Sequence, residues 1–144
     1  ALAHHAELLL LDEATSGLDP VMRDDVLDLL LDFVQSEKHG VLFSTHIMSD
    51  LSKIADYIAF LHEGKLLFFK SKDELIYRYG LIHCGEKLFR EIDHDDILAW
   101  RKQEYEYQIL VADRETAARK YKDCVIDPAT LDSIMLLNIR GKKV

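Results

Sequence analysis

Asp12 and Glu13 follow directly on four consecutive leucines, residues 8–11. If that apolar run is a strand of a parallel sheet, a carboxylate at its carboxyl end faces the crevice where open α/β sheets bind ligands. Asp12 suits a Mg²⁺ ion held through water, because that ion takes hard oxygens and keeps part of its hydration shell. Glu13, one residue on, points differently and can orient or deprotonate an attacking water. The same two acids can also simply end a strand in solvent, and four apolar residues followed by Asp-Glu do not separate the two readings. No GxxxxGK(S/T) phosphate loop accompanies them, since Gly40, Gly64, Gly80 and Gly85 lack a Lys-Ser or Lys-Thr at that spacing.

The elements around these acids read as α/β. Four leucines bounded by charge predict a strand buried on both faces, as in a parallel sheet. Leucine also forms helices, and the adjoining segment decides: Thr15-Ser16-Gly17-Leu18-Asp19-Pro20 is a loop with a capping Asp19 and a first-position Pro20. Leu27, Leu30, Leu31 and Val34 then fall on one helical face, with Gly40 expected to close the helix. Residues 41–45 predict a second short buried strand and 48–55 a short helix, so the order is the strand–helix–strand of a parallel sheet. Residues 57–61 and 65–69 flank His62-Glu63-Gly64 as an antiparallel hairpin. Ser71-Lys72-Asp73-Glu74 has capping-box spacing and starts a short helix ending near Gly80.

After Gly80 the pattern changes. Strands are expected at 81–84 and near 87–92, a helix at 93–100, a strand at 106–111, a helix at 115–121 and a strand at 124–126. Asp127-Pro128 repeats the Asp-cap, Pro-first opening, with Leu131, Ile134 and Met135 on one face of a last helix. The expected organisation is a parallel-sheet core over 1–80 and a small α+β region over 81–144.

Asp12-Glu13-Ala14-Thr15-Ser16-Gly17-Leu18-Asp19-Pro20 resembles, at every position, the Walker B motif and D-loop of ATP-binding cassette (ABC) ATPases. Ser44-Thr45-His46 resembles that family's H-loop, one helix and one strand later. The resemblance implies the carboxyl-terminal half of a P-loop NTPase core. It implies that Asp12 coordinates Mg²⁺, that Glu13 is the catalytic carboxylate polarising the hydrolytic water, and that His46 hydrogen-bonds the γ-phosphate of ATP. It also implies that Ser16, Gly17, Leu18 and Asp19 form the loop crossing a dimer interface, with Gly17 allowing its tight turn.

The phosphate loop, Q-loop and LSGGQ signature of that family are missing. Residues 1–7 resemble the tail of the helix after the signature, so the chain reads as the carboxyl-terminal part of a longer ATPase, inactive alone. Thr130-Leu131-Asp132-Ser133-Ile134-Met135 resembles the closing helix of multidrug-type ABC exporters, with Met135 for the usual Phe and Ser133 for an acid. The implied function is the ATP-hydrolysing subunit of an exporter. A second such subunit and a polytopic membrane permease are its partners, and the cytoplasmic face of the cell membrane is its location. A soluble ABC ATPase of DNA repair, chromosome organisation or translation is the alternative. A third reading takes residues 81–144 as an independent interaction or sensing module.

Composition agrees with a globular protein. The 144 residues are 49% hydrophobic and 31% charged, enough for one domain or one lobe of a larger one. No apolar run reaches the roughly 20 residues of a membrane span, and residues 1–5 carry no signal-peptide pattern. A formal charge of −8 argues against broad nucleic-acid binding. Cys84 and Cys124 form no CxxC pair, so a reducing compartment is expected and a zinc site is not. Trp100, Ile97 and Leu98 are expected in a helical core, Tyr105, Tyr107 and Tyr121 carry no nucleobase role, and Arg23, Asp24, Asp25 and Asp28 read as a solvated helix face. His4 and His5 read as an exposed helix end.

Overall fold

The computed structural model describes residues 6–143, so the readings placed on residues 1–5, His4 and His5 included, lie outside the described residues. Two compact units divide between Ala55 and Asp56. In the first, β1 (Leu8–Asp12) and β2 (Gly40–Ser44) run parallel in a register from Leu8 opposite Gly40 to Asp12 opposite Ser44. Helix α1 (Pro20–Phe33) makes the crossover, and α2 (Met48–Ile54) follows β2. The expected loop and cap form: the Asp19 carboxylate accepts from the amides of Val21 at 3.0 Å and Met22 at 3.1 Å, with Pro20 as the first helical residue.

Two expectations for this unit are corrected and a third is refined. The strands are buried on one face only: Leu9 is 3% exposed, whereas Leu8, Leu10 and Leu42 are 59%, 69% and 67% exposed. Leu9 shares its face with Val41, and Leu30 and Leu31 of α1 with Val34 just after it meet Val41 and Ile54 there. Side chains alternate along a strand, so Leu8, Leu10 and Leu42 point to the other face, which no element of this unit covers. Gly40 does not close α1, which ends at Phe33 with Val34 donating to the Leu30 carbonyl; Gly40 begins β2. The acidic face of α1 is partly paired rather than merely solvated, because Lys53 of α2 reaches Asp24 at 2.6 Å and Asp28 at 2.7 Å.

The second unit opens with the predicted hairpin, β3 (Tyr57–His62) and β4 (Lys65–Ser71), antiparallel with a bulge after Phe60. Its two turn residues, Glu63 and Gly64, sit at φ +48° and +73°, the left-handed pair that matches the twist of tight hairpins. The Ser71 hydroxyl accepts from the Glu74 amide at 3.1 Å, and one π-helical turn, Glu74–Arg78, follows in place of a regular helix.

Beyond it the order is β5 (Gly80–Cys84), α3 (Glu86–Phe89), β6 (Ala99–Lys102), β7 (Tyr107–Val111), α4 (Arg114–Lys120), β8 (Val125–Pro128), with α5 (Leu131–Arg140) last. The sheet order is β6-β7-β5-β8, all antiparallel, which is the split β-α-β topology of ferredoxin-like folds. One face carries Ile82, Cys84, Ile109, Val111 and Tyr107, packed with Ile92 and Ala117. On the other lie Leu81, Leu110 and Ala99, and α5 buries Leu131, Ile134 and Leu137.

Three local expectations are corrected here. Residues 87–92 hold the short helix α3 instead of a strand, with Glu86 and Arg90 paired at 2.6 Å one turn apart. Residues 93–100 are not a helix: after one 3₁₀ turn, His94–Asp96, the chain becomes β6, and burial alternates from Ile97 (8% exposed) through Leu98 (40%) to Ala99 (0%). Asp127-Pro128 does not open α5, because Pro128 ends the edge strand β8, where a missing amide is tolerated. Thr130 caps the helix in a reciprocal box with Ser133, whose hydroxyl accepts from the Thr130 amide at 2.9 Å, so the serine that departs from the exporter pattern performs the acid's capping role.

Candidate functional site

Asp12, Glu13 and His46 come together at the carboxyl tips of β1 and β2. The parallel register sets Asp12 opposite Ser44, and the Ser44 hydroxyl donates to Asp12 Oδ1. Glu13 N–H donates to the Ser44 carbonyl at 3.0 Å, one last rung of the ladder. There the chain turns, because Glu13 adopts φ +48°. A non-glycine residue in the left-handed region is strained by roughly 1–2 kcal/mol. The turn takes the Glu13 side chain off the alternating path of the strand and toward the next strand's tip.

His46 Nδ1 lies 2.8 Å from Glu13 Oε2. A carboxylate only accepts, so Nδ1–H is the donor. The ring is then tethered at one nitrogen and open at the other, its side chain being 71% exposed against 40% for Glu13. Once Nδ1–H is committed to Glu13, Nε2 accepts a hydrogen bond in the neutral ring and donates to an anion only in the imidazolium. The Thr45 hydroxyl accepts from the Ile47 amide at 3.0 Å and so shapes the turn that presents His46.

The motif loop joins this cluster through its backbone. Ser16 N–H donates to the Glu13 carbonyl at 3.0 Å, and Leu18 N–H to the Thr15 carbonyl at 3.3 Å. Gly17 sits at φ +78°, and a Cβ there would meet nothing within 4 Å, so its requirement is conformational and not steric crowding. Ser16, Gly17 and Asp19 are exposed; Leu18 is half-buried and Asp19 is spent on capping α1.

Hard oxygens suited to a Mg²⁺ ion are present in Asp12 and Ser44, both exposed at the strand tips. Among the described residues no group of three or more His, Cys, Asp or Glu could hold a metal, so such an ion would complete its shell from water and from its ligand's oxygens.

Sequence reasoning gave no individual role to three residues that build this site. Ser44 bridges Asp12 and the Glu13 amide, as the register of two parallel strands allows. Thr15 and Asp50 are fully buried and bonded to each other at 2.6 Å. The available signal was an acid one helical turn after His46 and a hydroxyl two residues after Glu13.

No family profile matches the chain. It is 28% identical to the ABC transporter ATP-binding protein YtrB of Bacillus subtilis (strain 168), over 99% of this chain and 52% of that protein. It is 32% identical to the glycine betaine/carnitine transport ATP-binding protein GbuA of Listeria monocytogenes, over 67% of this chain and 24% of that protein. With the bacitracin transport ATP-binding protein BcrA of Bacillus licheniformis it shares 39% identity over 46% of this chain and 22% of that protein. The chain thus spans about half the length of these relatives or less. Among the described residues no helix is long and apolar enough to cross a membrane. Its mixed α/β fold is consistent with the carboxyl-terminal part of such a protein, and its homologues are the ATP-binding proteins of ABC transporters, with named importers among them.

Proposed function

We propose that this chain is the carboxyl-terminal part of the ATP-hydrolysing subunit of an ABC transporter, with its core over residues 1–80 and an accessory region over 81–144. The observation that carries this reading is the 2.8 Å contact between His46 and Glu13, residues 33 positions apart within the two matching motifs. Glu13 orients and polarises the attacking water, a task that requires a carboxylate with one oxygen free; Oε2 is held by His46 and Oε1 is available. His46 holds that carboxylate in place and, as the imidazolium, donates from its other nitrogen to the terminal phosphate. Asp12, steadied by Ser44, would hold Mg²⁺, which supplies charge neutralisation at the phosphates when bound. Ser16, Gly17, Leu18 and Asp19 form the loop that faces a second ATPase subunit across the nucleotide sites.

The cargo passes through a polytopic permease, and the subunit works at the cytoplasmic face of the cell membrane. Export is the favoured direction, because the 130–135 segment resembles the closing helix of exporters. These 144 residues contain no GxxxxGK(S/T) loop to cradle phosphates, so on this reading the chain alone neither binds ATP usefully nor hydrolyses it.

The test is ATP hydrolysis by the product of the complete reading frame, compared with Glu13→Gln and His46→Ala. Loss of a positioned base or of its partner is expected to lower kcat by roughly 10²–10⁴-fold. Turnover unchanged in both variants would overturn the assignment. Turnover by the 144-residue chain alone, lost in Glu13→Gln, would overturn its inactivity.

A further inference from the structure

Thr15 and Asp50 are the buried polar side chains among the described residues, 0% and 1% exposed. The Thr15 hydroxyl donates to Asp50 Oδ2 at 2.6 Å across 35 residues of sequence. Asp50 Oδ1 is equally buried and has no partner. A buried polar atom left unsatisfied destabilises by roughly 1–3 kcal/mol, as much as a single hydrogen bond returns. An apolar pair of the same shape would hold the unit together at least as well. What the pair does achieve is positional. Thr15 lies two residues after Glu13, and Asp50 lies one helical turn after His46 on α2. Their bond fixes the loop that leaves Glu13 against the helix that leaves His46.

The Glu13–His46 contact needs such support. Its side chains are 40% and 71% exposed, and exposed ion pairs contribute little on their own. Glu13 also sits in a strained backbone conformation that persists only where the surroundings over-determine it. We propose that Thr15 and Asp50 form a buried clamp that positions Glu13 against His46: positioning residues for hydrolysis, acting through those two side chains. This rests on the ATPase reading above for its consequence, though not for its geometry.

Two measurements test it. In the product of the complete reading frame, Thr15→Val is expected to lower kcat by about 10²-fold, as a misplacement near 1 Å does, with KM for ATP changed less than about twofold. Thr15→Ser, which keeps the donor, and Asp50→Asn, which keeps an acceptor oxygen, are expected to retain kcat within about threefold. Wild-type kcat in Thr15→Val, or a loss matched by an equal loss of folded protein, would overturn the clamp. Should Thr15→Val fail to fold, Thr15→Ala gives the same comparison with a smaller side chain.

The second measurement needs no nucleotide. In the 144-residue chain, Glu13→Gln is expected to move the His46 ring nitrogen signals by NMR, and Thr15→Val to move them in the same direction while Thr15→Ser does not. Signals unmoved by Thr15→Val overturn the clamp, and signals unmoved by Glu13→Gln overturn the contact it is meant to hold. A wild-type protein without turnover would instead sink the ATPase reading and leave the ring signals to decide the clamp.

Discussion

Cys84 is 6% exposed, on the inner face of β5, and burial pushes its thiol from the ordinary 9.0 up to about 11, with Cys124 and Glu106 adding to the effect. Two units of pKa leave about a hundredfold less thiolate near neutral pH, and the thiolate is the reactive form. Alkylation of Cys84 by iodoacetamide at pH 8, followed by mass spectrometry, is therefore expected to be at least about a hundredfold slower in the folded chain than in urea. A raised acid pKa also fixes the sign of a stability change. The folded state keeps its proton while the unfolded chain loses one above pH 9, so stability falls as pH rises from 9 toward 11. Urea midpoints across that range, with Cys84→Ala as control, check it. The acidic side has the opposite sign. The Asp95 amide, then Lys120, hold Asp93 below 3.8, Lys120 and the Tyr121 hydroxyl do the same for Asp96, and Arg90 lowers Glu86 from 4.5. Their contributions are complete above those values and are lost as pH falls below them.

Helix ends and tight turns carry predictions at the scale of the element. Asp19→Ala removes the acceptor for two amides of α1 and is expected to cost about 1 kcal/mol, read as a shift of the denaturation midpoint. At the end of α5, a Cβ on Gly141 would lie 2.3 Å from the Leu137 carbonyl oxygen and 3.2 Å from Ala99 Cβ, with no room to yield in backbone. Gly85 has nothing within 4 Å. Gly141→Ala is thus expected to destabilise by about 1–3 kcal/mol and Gly85→Ala by less than about 0.5 kcal/mol. Equal midpoints for the two variants would contradict the close approach of α5 to β6. The same scale explains what the helix and strand readings missed. Around residues 86–102 each element is four residues long or shorter, too short for period to declare itself, and the neighbouring strand β7 decides which segment pairs.

For the whole molecule the two units differ in how much of their apolar surface they bury. The four-stranded sheet of the second unit is covered on both faces, with Ile82, Ile109, Leu110, Ile134 and Leu137 each 0–1% exposed. A chain of residues 56–144 is expected to unfold in one cooperative transition by circular dichroism, and Ile109→Ala to lower its stability by about 2–5 kcal/mol. The first unit leaves Leu8, Leu10 and Leu42 open on one sheet face. A two-stranded parallel sheet with one bare face is marginal in water, so residues 1–55 alone are expected to show no cooperative transition. The boundary expected near Gly80 and the compact boundary after Ala55 differ, because the β3–β4 hairpin groups with the second unit, where β4 contacts the π-helical turn that follows it.

The nine residues from Asp12 to Pro20 and the triplet ending at His46 were enough to name the candidate site, because its chemistry requires particular side chains at strand ends and leaves its marks in residue type and order. Capping by Asp19, the crossover helix and the hairpin turn were legible for the same reason: each is a local bond or a local backbone angle. Only tertiary structure could bring His46 to 2.8 Å from Glu13, engage Ser44 with Asp12, and bury Thr15 against Asp50. Those contacts join residues 32 to 35 positions apart and depend on strand register and on how a helix seats, quantities set by side chains meeting in three dimensions and not by any spacing along the chain.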